Sequence, residues 1–277
     1  MDAFSVFGNP INHSQSPRIY ALFSGEIGLS HSYARMLSPI EGEIFEKMLH
    51  QFFNMGGLGA NITLPFKERA YALCNQLTKR AALAGTVNTI KKQMDGLLLG
   101  DNTDGIGLLN DLQRLNLLKQ DSRVLLVGAG GAAKGVILPL LDYGCTVVLT
   151  NRTFARAKAL EKYYQDSGDI IALPLPCLNT PDYDIIINAT STGIKGTIPP
   201  LSTSIITPEV YCYDMFYQEG DTPFLKWCHQ QGARFCSDGL GMLVEQAASS
   251  FLFWHNIMPS VLPVLKTLRL ELTQRSK

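Results

Sequence analysis

A chain of 277 residues can form two ordinary domains or one large one. Its 24 Lys and Arg balance its 24 Asp and Glu, so the basic footprint of a nucleic-acid partner or an acidic membrane surface is missing. The longest apolar runs are interrupted by Gly, Lys or Pro, and the opening MDAFSVFGNP has neither the basic start nor the apolar core of a signal peptide. A cytoplasmic protein is expected, with no nucleic-acid or membrane partner.

Strand-like and helix-like segments alternate from end to end, which implies an α/β fold with a largely parallel sheet. AFSVFG reads as a strand, NPINHSQSP as a loop, and a helix starts at about Pro17. HSYARML is a second strand, EGEIFEKMLHQFFNM a helix, and GLGANIT a third strand. That strand runs into a helix whose first turn should hold Pro65, where a missing N–H costs nothing. Lys67 then sits close to a helix N-terminus, where the macrodipole disfavours a cation. GTVNTIKK and GLLLGDN suggest an antiparallel pair turning at Asp95-Gly96, and DGIGLLNDLQRLNLL a helix leaving this first block. Asp104 alone would read as the N-cap of that helix, and Ser16 as the N-cap before Pro17.

The second block opens with SRVLLVGAGGAAKGVILPLLDYG. It continues through strand TVVLTNR, helix FARAKALEKYYQ, and strands DIIAL, YDIIINAT and VYCYDMF. Two helical segments, roughly Leu240–His255 and Ser260–Gln274, close the chain. The six cysteines show no C-x-x-C and no zinc spacing with histidine, so they read as reduced, and no metal is expected.

Gly128, Gly130 and Ala133 form G-x-G-x-x-A directly after an apolar strand and at the opening of a helix. This is the setting in which the motif binds a dinucleotide. The first glycine permits a tight turn, the second admits the pyrophosphate, and the third position must be small for helix–strand packing. An NAD site places an acid at the end of the next strand, about 20 residues on. Here Asn151 stands near that place, followed by Arg152 and Arg156, which suits the 2′-phosphate of NADP.

With these pieces placed, the chain resembles shikimate dehydrogenase nearly end to end. The motifs that carry the likeness are VFGNPINHSQSP, GANITLPFKE, ALAGTVNT, GDNTDGIG, VGAGGAAKG, NRTFAR, INATSTG, YDMFY and DGLGMLVEQAA. The resemblance implies two α/β domains flanking a cleft: residues 1–103 plus about 240–277 for substrate, and a Rossmann-type NADP-binding domain at 104–239. It implies that Lys67 and Asp104 are the catalytic pair for reversible NADPH-linked reduction of 3-dehydroshikimate to shikimate. Alcohol oxidation needs a base as hydride leaves, and ketone reduction needs an acid. A lysine at a helix start should have its pKa pushed down by the dipole and partly restored by the carboxylate.

By the same resemblance the substrate meets Ser14, Ser16, Thr63, Asn88, Tyr217 and Gln246 as well as the catalytic pair. The cofactor would touch Gly128, Ala129, Gly130, Gly131, Ala132, Asn151, Arg152, Thr153, Arg156, Thr190, Met215 and Gly239. Lys79 departs from several relatives, which carry an acid there. The competing expectations are a quinate/shikimate dehydrogenase of broader range and a non-catalytic NADP-binding sensor. Monomer and homodimer are both compatible with the sequence. With Lys67 at the positive end of a helix, its removal is expected to leave thermal stability unchanged or slightly raised.

Overall fold

A computed structural model describes residues 3–274. The chain divides into two compact units: one runs to Gly107 and takes in Val244–Leu268, and the other comprises Leu108–Leu243 with the chain from Arg269 onward.

The first unit contains β1 (Phe4–Gly8), α1 (Ser16–Ile27), β2 (Tyr33–Leu37), α2 (Ile44–Asn54), β3 (Gly59–Ile62), α3 (Lys67–Leu73) and β4 (Gln76–Leu77). It continues with α4 (Lys79–Ala84), β5 (Thr89–Lys92), β6 (Leu98–Asp101) and the start of α5 (Asp104–Arg114). Its sheet runs β2-β1-β3-β5-β6-β4. β1 pairs in parallel with β2 and β3, while β5 is antiparallel to both β3 and β6. The hairpin turns as expected, with Gly96 at φ +85° and its N–H donating to Gln93 O.

β1 is buried at every residue, as a parallel strand covered on both faces must be. One layer comes from α2, whose buried Phe45, Leu49, Phe52 and Phe53 recur at i, i+4, i+7 and i+8. Phe52 meets Phe7 edge-on at 5.6 Å, and Phe45 stacks on Phe66 at 4.4 Å. A second aromatic cluster gathers Phe4, Tyr20, His31 and Tyr33 with Phe251 and Trp254 from α9 (Leu240–His255). Trp254 Nε1 donates to Ile90 O at 3.0 Å, and a side chain at Gly59 would strike that indole at 2.6 Å.

The second unit contains β7 (Arg123–Val127), α6 (Gly131–Asp142), β8 (Thr146–Thr150), α7 (Phe154–Tyr164), β9 (Ile170–Ala172) and β10 (Ile185–Asn188). After these come β11 (Tyr211–Asp214), α8 (Pro223–Gln230) and β12 (Phe235–Asp238). The order β12-β11-β10-β7-β8-β9 is parallel throughout. Order reverses between β7 and β10, the switch point where doubly wound sheets place their ligands. The unit boundary falls inside α5, inside α9 and inside α10 (Val261–Gln274). Among the described helices none is long and apolar enough to cross a membrane.

Several local expectations change. Pro65 is not in the first turn of α3: it follows a cis peptide and precedes Lys67, the first helical residue, by two positions. Ser16 is likewise the first residue of α1, behind Gln15, and Asp104 the first of α5. Neither is the N-cap that its type suggested. β4, α4, α8 and β12 were not anticipated. The first two are too short to show a period, although Thr78 caps α4 by accepting from Ala81 N–H. The signal for α8 was present in Thr222-Pro223, a cap followed by proline at the first position.

His31 Nδ1 lies 2.9 Å from His255 Nε2, its Nε2 has no protein partner, and its ring stacks on Phe4 at 4.0 Å. Burial, reinforced by His255, holds His31 down at about 3. The unfolded ring takes its proton near 6.5 while the folded ring does not, so this contribution is present above pH 6.5 and lost as pH falls toward 3. Between pH 6.5 and 5 the wild type should lose about 2 kcal/mol more unfolding free energy than His31→Phe. Urea titrations at both pH values measure it; equal losses would mean that the folded ring is charged.

Candidate active site

The GANIT strand and its neighbours bring polar side chains into the interior of the first unit. Lys67, at the start of α3, reaches Asp104, at the start of α5, with Nζ 2.5 Å from Oδ2. The carboxylate side chain is 2 % exposed and the lysine 14 %. Asn88 Nδ2 donates to the other oxygen, Oδ1, at 2.8 Å. Asn88 Oδ1 in turn accepts from Thr103 N–H at 2.9 Å and from Thr89 OH at 3.0 Å. Gln246 Oε1 stands 3.3 Å from Asn88 Nδ2, and Gln246 is carried by α9.

The same network extends inward. Ser250, one turn beyond Gln246, lies 2.7 Å from Thr89 Oγ1 and 3.2 Å from Thr103 Oγ1, and donates to Gln246 O at 3.0 Å. Asn61 Nδ2 reaches Thr89 and Ser250, while Asn61 Oδ1 accepts from Tyr20 OH at 2.9 Å and Tyr33 OH at 2.7 Å. Burial pushes both phenols well above their usual range, so they remain donors. Each of these network side chains thus has a partner, as a low-dielectric interior demands.

Ser14 and Ser16 meet through their hydroxyls at 3.1 Å, and both are partly exposed. Arg35 holds that loop by donating from Nε and Nη2 to Ser14 O at 2.9 and 2.6 Å. Thr63 follows β3, with its N–H on Phe7 O at 2.9 Å; a side chain at Gly8 would meet its methyl at 2.4 Å. Of the expected substrate residues, Ser14, Ser16, Thr63, Lys67, Asn88, Asp104 and Gln246 all belong to the first unit, and Tyr217 lies in the loop after β11 of the second.

Every expected cofactor residue belongs to the second unit. Gly128 has φ +123°, and a side chain there would press on Ala189 O at 3.0 Å, so only glycine serves. Gly130, the N-cap of α6, offers no side-chain cap, and a Cβ there would meet nothing within 4 Å. Ala133 is fully buried against the sheet. A side chain at Gly239 would run into Met215 O at 2.3 Å. At the end of β8, Asn151 Nδ2 donates to Thr153 O at 2.9 Å, while Arg152, Thr153 and Arg156 are exposed. Among the described residues neither arginine has a carboxylate partner. Buried Thr150 Oγ1, beside Asn151, has no protein partner. Open space at Gly130, an uncapped helix start, an orphan hydroxyl and two uncommitted guanidiniums together fit a phosphorylated dinucleotide.

Between these loops lies a buried carboxylate. Asp214 accepts from Asn188 Nδ2 (3.1 Å), Phe216 N–H (3.1 Å) and Thr222 OH (2.6 Å). Burial pushes its carboxyl up to about 6, against the pull of those three donors.

A doubly wound parallel unit and a second α/β unit with a buried Lys–Asp pair define a two-domain oxidoreductase that works with a nicotinamide dinucleotide. Family models describe the same parts: a shikimate dehydrogenase substrate binding domain at residues 6–90, shikimate / quinate 5-dehydrogenase at 112–195, and a shikimate 5'-dehydrogenase C-terminal domain at 239–269. Shikimate dehydrogenase from Aquifex aeolicus is 30 % identical, with TM-score 0.86, over 96 % of this chain and 97 % of that one. Shikimate 5-dehydrogenase from Thermus thermophilus, solved with NADP(H) and shikimate, is 30 % identical over 100 % of both chains, with TM-score 0.86. An Ael1 enzyme from Pseudomonas putida is 38 % identical over 97 % and 98 %, with TM-score 0.88. The chain belongs to the shikimate dehydrogenase family.

Asn61, Thr89, Thr103 and Ser250 were not singled out from the sequence, yet they support Asn88 and Asp104. Their one signal was polarity in apolar surroundings, as in Ala60-Asn61-Ile62. Asn88→Ala should therefore cost about 2–4 kcal/mol of stability, because Asp104 Oδ1 and Thr103 N–H each lose a buried partner. Gln246→Ala, at the partly exposed end of the network, should cost far less. Urea midpoints of the two variants test this, and equal midpoints would remove Asn88 from the centre of the network.

Proposed function

We propose that the chain interconverts 3-dehydroshikimate and shikimate with NADP(H), using Lys67 and Asp104 as its acid–base pair. The observation that carries the assignment of the pair is the 2.5 Å contact between an ammonium and a carboxylate that are both largely withdrawn from water. When bound, NADP supplies the hydride acceptor, and NADPH the donor.

The protein's part is the proton. With Asp104 Oδ1 held by Asn88, Oδ2 faces Lys67 and sets where the ammonium points. In the reductive direction Lys67 donates its proton to the carbonyl oxygen as hydride arrives; in the oxidative direction the pair takes the hydroxyl proton. Ser14, Ser16, Thr63, Asn88, Gln246 and Tyr217 offer hydroxyls and amides matched to a polyhydroxy acid. The Gly128 loop and the start of α6 hold the pyrophosphate, with Ala129, Gly131, Ala132, Thr153, Thr190, Met215 and Gly239 completing the contacts. Asn151, Arg152 and Arg156 take the 2′-phosphate. The six unpaired cysteines suit the reducing cytoplasm as the site of action.

Lys67→Ala should lower kcat by roughly 10²–10⁴-fold, with a much smaller change in the KM for shikimate. If only the KM rose, Lys67 would be a binding residue and Asp104 the first candidate for the proton. The buried partner also reverses the expectation for stability. Removing the lysine leaves a 2 %-exposed carboxylate without its cation, so unfolding free energy should fall by about 3 kcal/mol rather than hold or rise.

Arg152→Ala should raise the KM for NADP by about 10- to 150-fold, the loss of one charge-assisted contact, and leave NAD use nearly unchanged. Equal weakening with both cofactors would show that Arg152 does not hold the 2′-phosphate. Absorbance assays at the NADPH band, crossing shikimate and quinate with NADP and NAD, separate this reading from a broader quinate/shikimate dehydrogenase. Absence of turnover in all four would leave the non-catalytic sensor.

A further inference from the structure

Two chain segments, one leaving β10 and the other leaving β11, run beside the switch point between β7 and β10. β10 and β11 end side by side, with Asn188 opposite Asp214 in the register. On its other side Asn188 is opposite Val127, the last residue of β7 before Gly128. The three strand ends therefore stand in a row where a doubly wound sheet receives its ligand.

Asn188 and Asp214 are both completely buried, and each is the last residue of its strand. Asn188 Oδ1 accepts from Thr190 N–H at 3.1 Å and from Thr190 OH at 2.7 Å, fixing both the backbone and the side chain of that residue. Asn188 Nδ2 donates to Asp214 Oδ1 at 3.1 Å. The same oxygen accepts from Phe216 N–H at 3.1 Å, fixing the chain just past Met215, whose own N–H is on Asn188 O at 3.0 Å. Asp214 Oδ2 accepts from Thr222 OH at 2.6 Å, and Thr222 caps α8 by accepting from Leu225 N–H. One carboxylate thus ties together both segments and the helix that closes the second of them. A carboxylate accepts at both oxygens and donates at neither, which is what three converging donors require.

We propose that Asp214 is a positioning residue for the cofactor, setting Thr190 through Asn188 and Met215 through Phe216 N–H. The proposal rests on the reading that Thr190 and Met215 touch the dinucleotide. Asp214 is itself completely buried, and its effect is transmitted by the two segments it joins.

NADPH fluorescence titration of folded protein, with circular dichroism and thermal melting to establish folding, provides the test. Asp214→Ala should raise the Kd for NADPH about 10-fold, the loss of roughly one hydrogen bond's worth of pre-organisation. The KM for shikimate at saturating NADP should stay within about 2-fold, a split that a general loss of stability would not produce. Asp214→Asn, which keeps the acceptor for Asn188 and Phe216, should restore the Kd to within about 3-fold of wild type. If Asp214→Ala does not fold, Asn188→Ala decides, because it severs the link to Thr190 while leaving Asp214 its Phe216 and Thr222 donors; the same rise in Kd is expected. Met215→Ala and Thr190→Ala complete the set. If they weaken NADPH while Asp214→Ala and Asn188→Ala bind it as wild type does, the positioning role is overturned and the contacts stand. If all four bind as wild type, the contacts themselves are wrong and the proposal falls with them.

Discussion

A carboxylate that keeps 2 % of its side chain in contact with water has to be surrounded by donors, and Asp104 organises its unit around that requirement. Lys67 satisfies one oxygen and Asn88 the other. Asn88 then needs partners of its own, and Thr89 and Thr103 supply them. Their hydroxyls bring in Ser250 from α9, and Asn61 completes the chain of contacts to two buried phenols. Each step removes one unsatisfied group and creates the need for the next. The outcome is an ammonium set against a carboxylate oxygen whose partner oxygen is already held.

This also explains why most of a late helix, from Val244 onward, belongs to the first unit. α9 contributes Gln246 and Ser250 to the polar network, and Phe251 and Trp254 to the aromatic cluster. These residues lie near one another along the helix but serve different neighbours, one set hydrogen-bonded and the other packed. A change in α9 that preserved its hydropathy would still break the unit if it removed the hydroxyl or the indole N–H.

The second unit solves a different problem with backbone and glycine. Gly130 opens α6 with no side-chain cap, and a Cβ there would stand in open space. Gly128 and Gly239 are the opposite case, because carbonyl oxygens of Ala189 and Met215 already fill the space. Asp214 and Asn188 then give the segments around those carbonyls a fixed place.

Much of this protein could be read from its amino acids alone. Strand–turn–helix at Gly128 is a local pattern, and so is the Asp95-Gly96 hairpin, because both depend on residues adjacent in the chain. The arginines after TVVLT indicated a phosphate for the same reason: they follow a strand end whose position in a doubly wound unit is set by order alone. Lys67 was conspicuous because a cation near a helix start runs against the local electrostatics. Its partner could be named only through family resemblance, since 37 residues separate the two and no period links them. Local pattern also misplaced Pro65, Ser16 and Asp104 by one or two positions, because helix starts are settled by the packing of neighbouring chain. Burial decided the rest. Whether Asp104 is an exposed cap or a withdrawn carboxylate, whether Ser250 is a surface hydroxyl or the joint between α9 and the sheet, and whether Asp214 is solvated or holds two segments together depend on side chains far apart in sequence. Composition and spacing determine which elements form; only tertiary packing determines which polar groups lose water and must find one another.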